Sequence, residues 1–250
     1  MANSEIEKYG LIGKNIGYSF SKKYFTDKFK KENQPNFKYE NFDIADISQL
    51  QEIVANTIYL KGLNVTIPYK ETVMPFLDKI NKKAQLIGAV NTIKITKKEK
   101  LKGYNTDYYG FKKALKPNLK SHHKKALILG TGGASKAVAY ALQTLGISYK
   151  FVSRNPTTDQ WHYNDLNQHI FNEYHLIINC TPLGTFPNTE EFPPLPYNFF
   201  SSEHLAFDLI YNPAETTFLK KAKEHQSKTL NGYQMLVFQA EKAWKIWNKQ

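Results

Sequence analysis

Ala126-Leu127-Ile128-Leu129-Gly130-Thr131-Gly132-Gly133-Ala134-Ser135-Lys136-Ala137 carries an apolar run straight into a glycine-rich turn. Four apolar residues without alternation suit a strand buried on both faces of a parallel sheet. The G-x-G that follows gives a tight turn and lets a ligand approach the backbone closely. An apolar helix over Val138–Leu145, stopped by Gly146, comes next. Strand, G-x-G and helix start together are what pyrophosphate binding needs, since free N–H groups and the helix dipole favour an anion. Ser135 stands at the third glycine position, with Gly133 and Ala134 as small neighbours. The next strand, around Phe151 and Val152, ends at Ser153-Arg154 without a carboxylate. An acidic residue there would hold a free ribose 2′-hydroxyl, whereas the planar fork of arginine suits a 2′-phosphate. The pattern predicts NADP rather than NAD, and argues against a methyl-donor site.

Outward from that loop, short apolar strands alternate with helical stretches. Leu176-Ile177-Ile178 runs into Asn179-Cys180-Thr181-Pro182. Leu205–Leu209 runs into Ile210-Tyr211-Asn212-Pro213, and Lys228–Leu230 suits a further strand. Such alternation predicts a doubly wound parallel sheet. Residues 186–198 are proline-rich and read as a loop. The chain ends in an amphipathic helix with Met235, Leu236, Phe238, Ala240, Ala243, Trp244 and Trp247 on its apolar side.

The first half has a different texture. Strands are expected at Tyr9–Gly13, Phe37–Ile44, the Gly62 segment, Ala89–Ile95 and Leu101–Tyr104. Helices are expected after Ser19 and Ser21, after Asp46 or Ser48, over Asp78–Ile87, and over Tyr108–Leu115 with Asp107 as cap. Gly62-Leu63-Asn64-Val65-Thr66-Ile67-Pro68-Tyr69-Lys70 ends its strand at proline. It then delivers a hydroxyl and an ammonium to the strand-end rim, where open α/β sheets bind ligands. From these residues alone, an ordinary strand with a solvated lysine is the commoner reading, since most lysines are exposed. Ser19 and Ser21 are also open to two readings. One of them can simply cap a helix, or the two hydroxyls and the helix N-terminus can together receive a carboxylate.

The 250 residues suffice for two modest domains. With 41% apolar and 22% charged residues, the chain is globular in composition. Its net charge of +12 is spread along the chain, which favours an anionic small molecule over nucleic acid. The densest basic stretch, Lys120–Lys125, reads as a solvated linker. Cys180 is the only cysteine, so no internal disulfide or cysteine-based zinc site can form. No metal site is expected. Without a signal-peptide core in Met1–Lys8 or a membrane-length apolar run, a cytoplasmic protein is expected.

Several stretches, in order, resemble shikimate dehydrogenases: the Gly62–Lys70 segment, Gly88-Ala89-Val90-Asn91-Thr92, Gly103-Tyr104-Asn105-Thr106-Asp107, Gly130–Ala137, Ser153-Arg154-Asn155, Asn179–Gly184, Tyr211-Asn212-Pro213 and Gly232-Tyr233-Gln234-Met235-Leu236 with Gln239. Tyr18, Lys22 and Asn15 depart from residues the family commonly has.

The resemblance implies an NADP-binding Rossmann domain at 107–231. It implies a substrate-binding catalytic domain at 1–106, to which 232–250 returns. It implies reduction of 3-dehydroshikimate by NADPH, with Lys70 as proton donor and Asp107 as its paired carboxylate. Ser19, Ser21 and Tyr211 would hold the substrate carboxylate, and Thr66, Asn91, Asp107 and Gln239 would read the ring hydroxyls. Gly130, Thr131, Gly132, Gly133, Ala134, Ser153, Arg154, Thr181 and Gly232 would hold NADP(H). The alternatives are a quinate/shikimate dehydrogenase of broader range and a non-catalytic NADP-binding regulator. No nucleic-acid or membrane partner is implied, and the protein is expected as a monomer or homodimer.

Overall fold

The computed structural model describes residues 5–17 and 19–248. It divides into two units: the residues up to 106 together with those from 240, and residues 107–239.

In the first unit, β1 (Glu7–Gly13), β2 (Phe37–Asp43) and β3 (Leu60–Val65) run parallel. β5 (Thr92–Ile95) runs antiparallel to β3 and to β6 (Leu101–Tyr104), and the two-residue β4 (Lys79–Ile80) closes the edge. The sheet order is β2-β1-β3-β5-β6-β4. Helices α1 (Phe20–Lys31), α2 (Leu50–Asn56) and α3 (Lys82–Ile87) complete the unit. One core packs Ile12, Leu50, Leu63, Val73 and Ile93, and the other packs Tyr9, Phe25, Phe29 and Tyr39 with Trp247.

Two expectations for this half change. Asp78 opens no helix. Its carboxylate accepts from the Leu101 backbone N–H at 2.8 Å and pairs with Lys100 at 2.9 Å, which pulls the chain into β4. Asn81 caps α3 instead. The strand expected from Ala89 begins only at Thr92. Before it, the Val90 N–H donates to the Lys70 carbonyl at 2.7 Å, and the Asn91 N–H to the Tyr104 carbonyl at 3.0 Å.

The second unit is a wholly parallel sheet, in the order β12-β11-β10-β7-β8-β9. Its strands are β7 (Lys125–Leu129), β8 (Ser148–Ser153), β9 (Gln160–His162), β10 (Leu176–Asn179), β11 (Leu205–Asp208) and β12 (Lys228–Leu230). Its helices are α4 (Asp107–Leu115), α5 (Gly133–Thr144), α6 (Gln168–Glu173), α7 (Thr217–Glu224) and the start of α8 (Tyr233–Trp247). β9, α6 and α7 are additions to the sequence reading. Gln160-Trp161-His162 has no apolar run to mark a strand, and α6 and α7 announce themselves mainly through their caps, Asn167 and Thr216.

Three details differ from expectation. Asp107 is the first residue of α4 and not its cap. α5 starts at Gly133, so the glycine turn runs directly into its first turn. The Lys120–Lys125 stretch is solvated only in part: Lys120, Ser121 and Lys124 are exposed, but His123 and Lys125 are engaged. His123 is buried, its ring nitrogen Nδ1 accepts from the Lys120 N–H at 3.0 Å, and Lys125 pairs with Glu173.

α8 changes allegiance at Ala240, not at 232. Met235 packs in the core of the second unit, whereas Ala243 and Trp247 pack in the first. The Trp247 indole donates to the Ile93 carbonyl at 2.9 Å, and it lies over Gly62, where a Cβ would come within 2.2 Å of its nitrogen.

Candidate active site

The expected substrate residues of the first unit converge on the carboxyl ends of β1 and β3. The Thr66 N–H donates to the Ile12 carbonyl at 2.9 Å. Gly13 permits this approach, since a Cβ there would lie 2.5 Å from the Thr66 methyl and 2.6 Å from Ile16. The Ser19 N–H donates to the Ile16 carbonyl at 3.1 Å, a local turn in the loop that leads from β1 into α1. Lys70 sits in the turn after Pro68, its backbone carbonyl bonded by Val90 next to Asn91. Tyr69 anchors that turn from below, its hydroxyl donating to the Ile44 carbonyl at 2.8 Å.

Ser19 is the N-cap of α1. Its hydroxyl oxygen accepts from the Ser21 N–H at 3.2 Å. Ser21 is buried near the Tyr39 hydroxyl, while Lys22 is exposed. Tyr18 lies outside the described residues.

A buried polar network runs on from Tyr39. Its hydroxyl donates to Asn64 Oδ1 at 2.7 Å, and Asn64 Nδ2 donates to Thr92 Oγ1 at 3.3 Å. Asn91 Oδ1 accepts from the Thr106 N–H at 2.6 Å, and Asn91 Nδ2 donates to Thr106 Oγ1 at 3.0 Å. Asn91 thereby clamps the residue that immediately precedes Asp107. Buried polar groups satisfied in this way hold one geometry.

Asp107, Tyr211 and Gln239 belong to the second unit. Asp107 is buried in the first turn of α4. Three residues on, Gly110 meets α8, where a Cβ would lie 2.4 Å from the Met235 carbonyl oxygen and 3.1 Å from the Gln239 Cβ. Residues three apart share a helix face, so Gln239 packs one turn from Asp107. Tyr211 lies in the loop after β11, half-buried.

The glycine turn has the shape a dinucleotide requires. Gly130 adopts φ +95°, a left-handed conformation that glycine takes without strain. Gly132 is the N-cap of α5, with no side-chain cap over the helix N-terminus, and a Cβ there would meet nothing within 4 Å. Thr131 and Gly132 are exposed, and Gly133 and Ala134 half-buried. Ser135 turns inward, donating to the Gly132 carbonyl at 2.6 Å. Arg154 is exposed just past the end of β8, and Ser153 Oγ accepts from the Asn155 N–H at 3.2 Å. Thr181 follows β10, held by Asn179. Gly232 has a packing reason of its own, since a Cβ would fall 2.0 Å from the Leu209 carbonyl oxygen. An open helix N-terminus, a glycine-rich turn and an exposed guanidinium fit NADP(H).

Asp208, at the end of β11, is wholly buried. It accepts from Thr216, Ile210 and Asn179, yet burial pushes its carboxyl up to about 7.

Comparison with known proteins decides the family. Residues 11–93 match the family described as "Shikimate dehydrogenase substrate binding domain". The chain is 40% identical over 249 residues to a "Shikimate dehydrogenase (NADP(+))" of Clostridium botulinum, covering 95% of both chains. It belongs to the shikimate dehydrogenase family. A solved shikimate dehydrogenase in complex with NADP+ superposes with a TM-score of 0.86 at 34% identity, covering 99% of this chain and 92% of that one. The Thermus thermophilus enzyme in complex with NADP(H) and shikimate gives 0.84 at 30% identity, with 97% and 93% covered. The two-domain α/β architecture with a Rossmann-like unit is that of these shikimate dehydrogenases.

Sequence reasoning passed over Tyr39, and took Asn64, Asn179 and Thr106 only as parts of matching segments. A polar residue inside an apolar strand, as in Leu63-Asn64-Val65, is the signal that points to such a network.

Proposed function

We propose that this protein reduces 3-dehydroshikimate to shikimate with NADPH, a step of the shikimate pathway that leads to chorismate and the aromatic amino acids. The observation that carries the reading is the match to NADP-dependent shikimate dehydrogenases over nearly the whole chain. The convergence of Ser19, Thr66, Lys70 and Asn91 on one strand-end rim supports it.

When bound, NADPH supplies the hydride. The chain supplies position and protons. The backbone N–H groups at the start of α5, with Thr131, Gly133, Ala134 and Thr181, receive the pyrophosphate side of the dinucleotide. Arg154 and Ser153 receive the 2′-phosphate. Ser19, Ser21 and Tyr211 hold the substrate carboxylate, and Thr66, Asn91 and Gln239 fix the ring through its hydroxyls. Lys70 gives its proton to the carbonyl oxygen as the alcohol forms, and takes it back in the reverse direction. Asp107 supplies the carboxylate of the catalytic pair.

No helix among the described residues is long and apolar enough to cross a membrane. We place the protein in the cytoplasm, a compartment that suits its single free Cys180, as a monomer or homodimer. The test is NADPH oxidation with 3-dehydroshikimate, beside NADH as alternative cofactor and 3-dehydroquinate, the ketone that corresponds to quinate, as alternative substrate. Rapid oxidation with NADPH and 3-dehydroshikimate alone is expected. No turnover, or equal turnover with 3-dehydroquinate, would overturn the assignment.

A further inference from the structure

Asp208 and Asn179 close two adjacent parallel strands, β11 and β10. The Asp208 carboxylate accepts from Thr216 Oγ1 at 2.6 Å, the Ile210 N–H at 3.0 Å and Asn179 Nδ2 at 3.1 Å. Asn179 Oδ1 accepts from both the Thr181 N–H at 3.0 Å and Thr181 Oγ1 at 2.7 Å. Thr181 Oγ1 accepts in turn from the Leu183 N–H at 3.3 Å. The Thr181 methyl ends this chain of contacts against the glycine turn, 3.1 Å from where a Cβ on Gly130 would stand. Three loops at the rim of the sheet are thus tied to one buried carboxylate.

The chemistry of the pair fixes its polarity. Asp208 Oδ1 already accepts from the Ile210 N–H, so it meets Asn179 as an acceptor and the amide of Asn179 presents its NH₂ group. The other end of that amide, the carbonyl oxygen, must then face Thr181. Nothing about stability alone requires this arrangement, because a buried ionic group can be replaced by apolar packing at little cost. What the carboxylate supplies and an apolar residue cannot is the orientation of the amide.

We propose that Asp208 and Asn179 are positioning residues of the nucleotide site: Asp208 orients Asn179, Asn179 orients Thr181, and Thr181 sets the wall beside the glycine turn. This rests on the reading of that turn as the NADPH site.

The experiment is fluorescence titration of the full chain with NADPH, with thermal melts of each variant alongside. Asp208→Ala should raise the dissociation constant about tenfold, the scale of one charge-assisted hydrogen bond. Asp208→Asn keeps an oxygen toward Asn179 and Ile210, so it should bind nearly as the wild type does. The KM for 3-dehydroshikimate at saturating NADPH should hold in both. If Asp208→Ala does not fold, Asn179→Ala carries the test, because it leaves the carboxylate bonded to Thr216 and Ile210. A similar rise there supports the proposal, and a wild-type dissociation constant overturns it. A lowered melting temperature with unchanged NADPH binding in every variant would mean a structural role only and would overturn the inference alone. A wild-type chain that binds no NADPH would overturn the functional reading and the inference with it.

Discussion

The two sheets build their ligand rims in different ways. In the first unit, polar side chains lie within the strands and just after them: Asn64 in β3, Thr92 in β5, and Asn91 and Thr106 beside them, all buried and bonded to one another. In the second unit, β10 and β11 are apolar until their last residues, Asn179 and Asp208, and β7 is apolar from Ala126 to its end. A parallel sheet covered on both faces tolerates few polar groups inside. What it offers a ligand at the strand ends is therefore mainly backbone and glycine. The mixed sheet can direct amides and hydroxyls at a small polyhydroxylated ring, where each donor must be aimed.

Lys70→Ala tests the side-chain rim most severely. Turnover is expected to fall by about 10² or more, the usual scale for loss of a general acid, with substrate affinity much less affected. Steady-state kinetics decide it, and near-normal turnover would leave that rim without its catalytic group. Arg154→Ala probes the other rim. NADPH binding should weaken by about 1.5–3 kcal/mol while use of NADH stays the same. Equal losses for the two cofactors would make Arg154 a structural residue.

The glycines sharpen the contrast. Gly130→Ala forces a side chain into φ +95° beside Thr181. Strain of about 1–3 kcal/mol should lower both the melting temperature and NADPH affinity. Gly132→Ala, at φ −76° with open space around it, should leave the melting temperature alone. If it also leaves NADPH affinity alone, the backbone-built rim is not the cofactor site.

Ser19 separates stability from binding. As a helix cap it is worth roughly 1 kcal/mol to folding, whereas a bond to a substrate carboxylate would appear in the KM. Melting and kinetics of Ser19→Ala and Ser21→Ala, with Lys22→Ala beside them, resolve the two. A lowered melting temperature with an unchanged KM would move the carboxylate elsewhere.

The smallest effect is in pH. Burial raises the Asp208 carboxyl from an ordinary 3.8 to about 7. The folded state therefore favours its neutral form, a contribution that is full below pH 3.8 and lost as pH rises through about 7. Asp208→Asn lacks this titration. Its melting temperature should gain on that of the wild type as pH rises from 4 to 8. Parallel pH profiles would show that the carboxyl titrates normally.

Much of the second unit was legible from local pattern. The apolar strands and the strand–G-x-G–helix sequence can each be recognised within a few residues, because a doubly wound unit repeats one local device. In the first unit, the order of matching segments gave the candidate residues, but local pattern left Ser19, Ser21 and Lys70 between a structural and a functional reading. Asp78 was misread as a helix start, because its partners, Leu101 and Lys100, lie more than twenty residues away. The change of allegiance within α8 was equally hidden, since its apolar stripe is continuous from Met235 to Trp247 and only packing against Gly62 and Ile93 divides it. Periodicity, turn chemistry and motif spacing are short-range and can be read along the chain. Which carboxylate meets which amide, as Asp208 meets Asn179 across neighbouring strands, depends on contacts distant in sequence, and only the folded sheet brings them together.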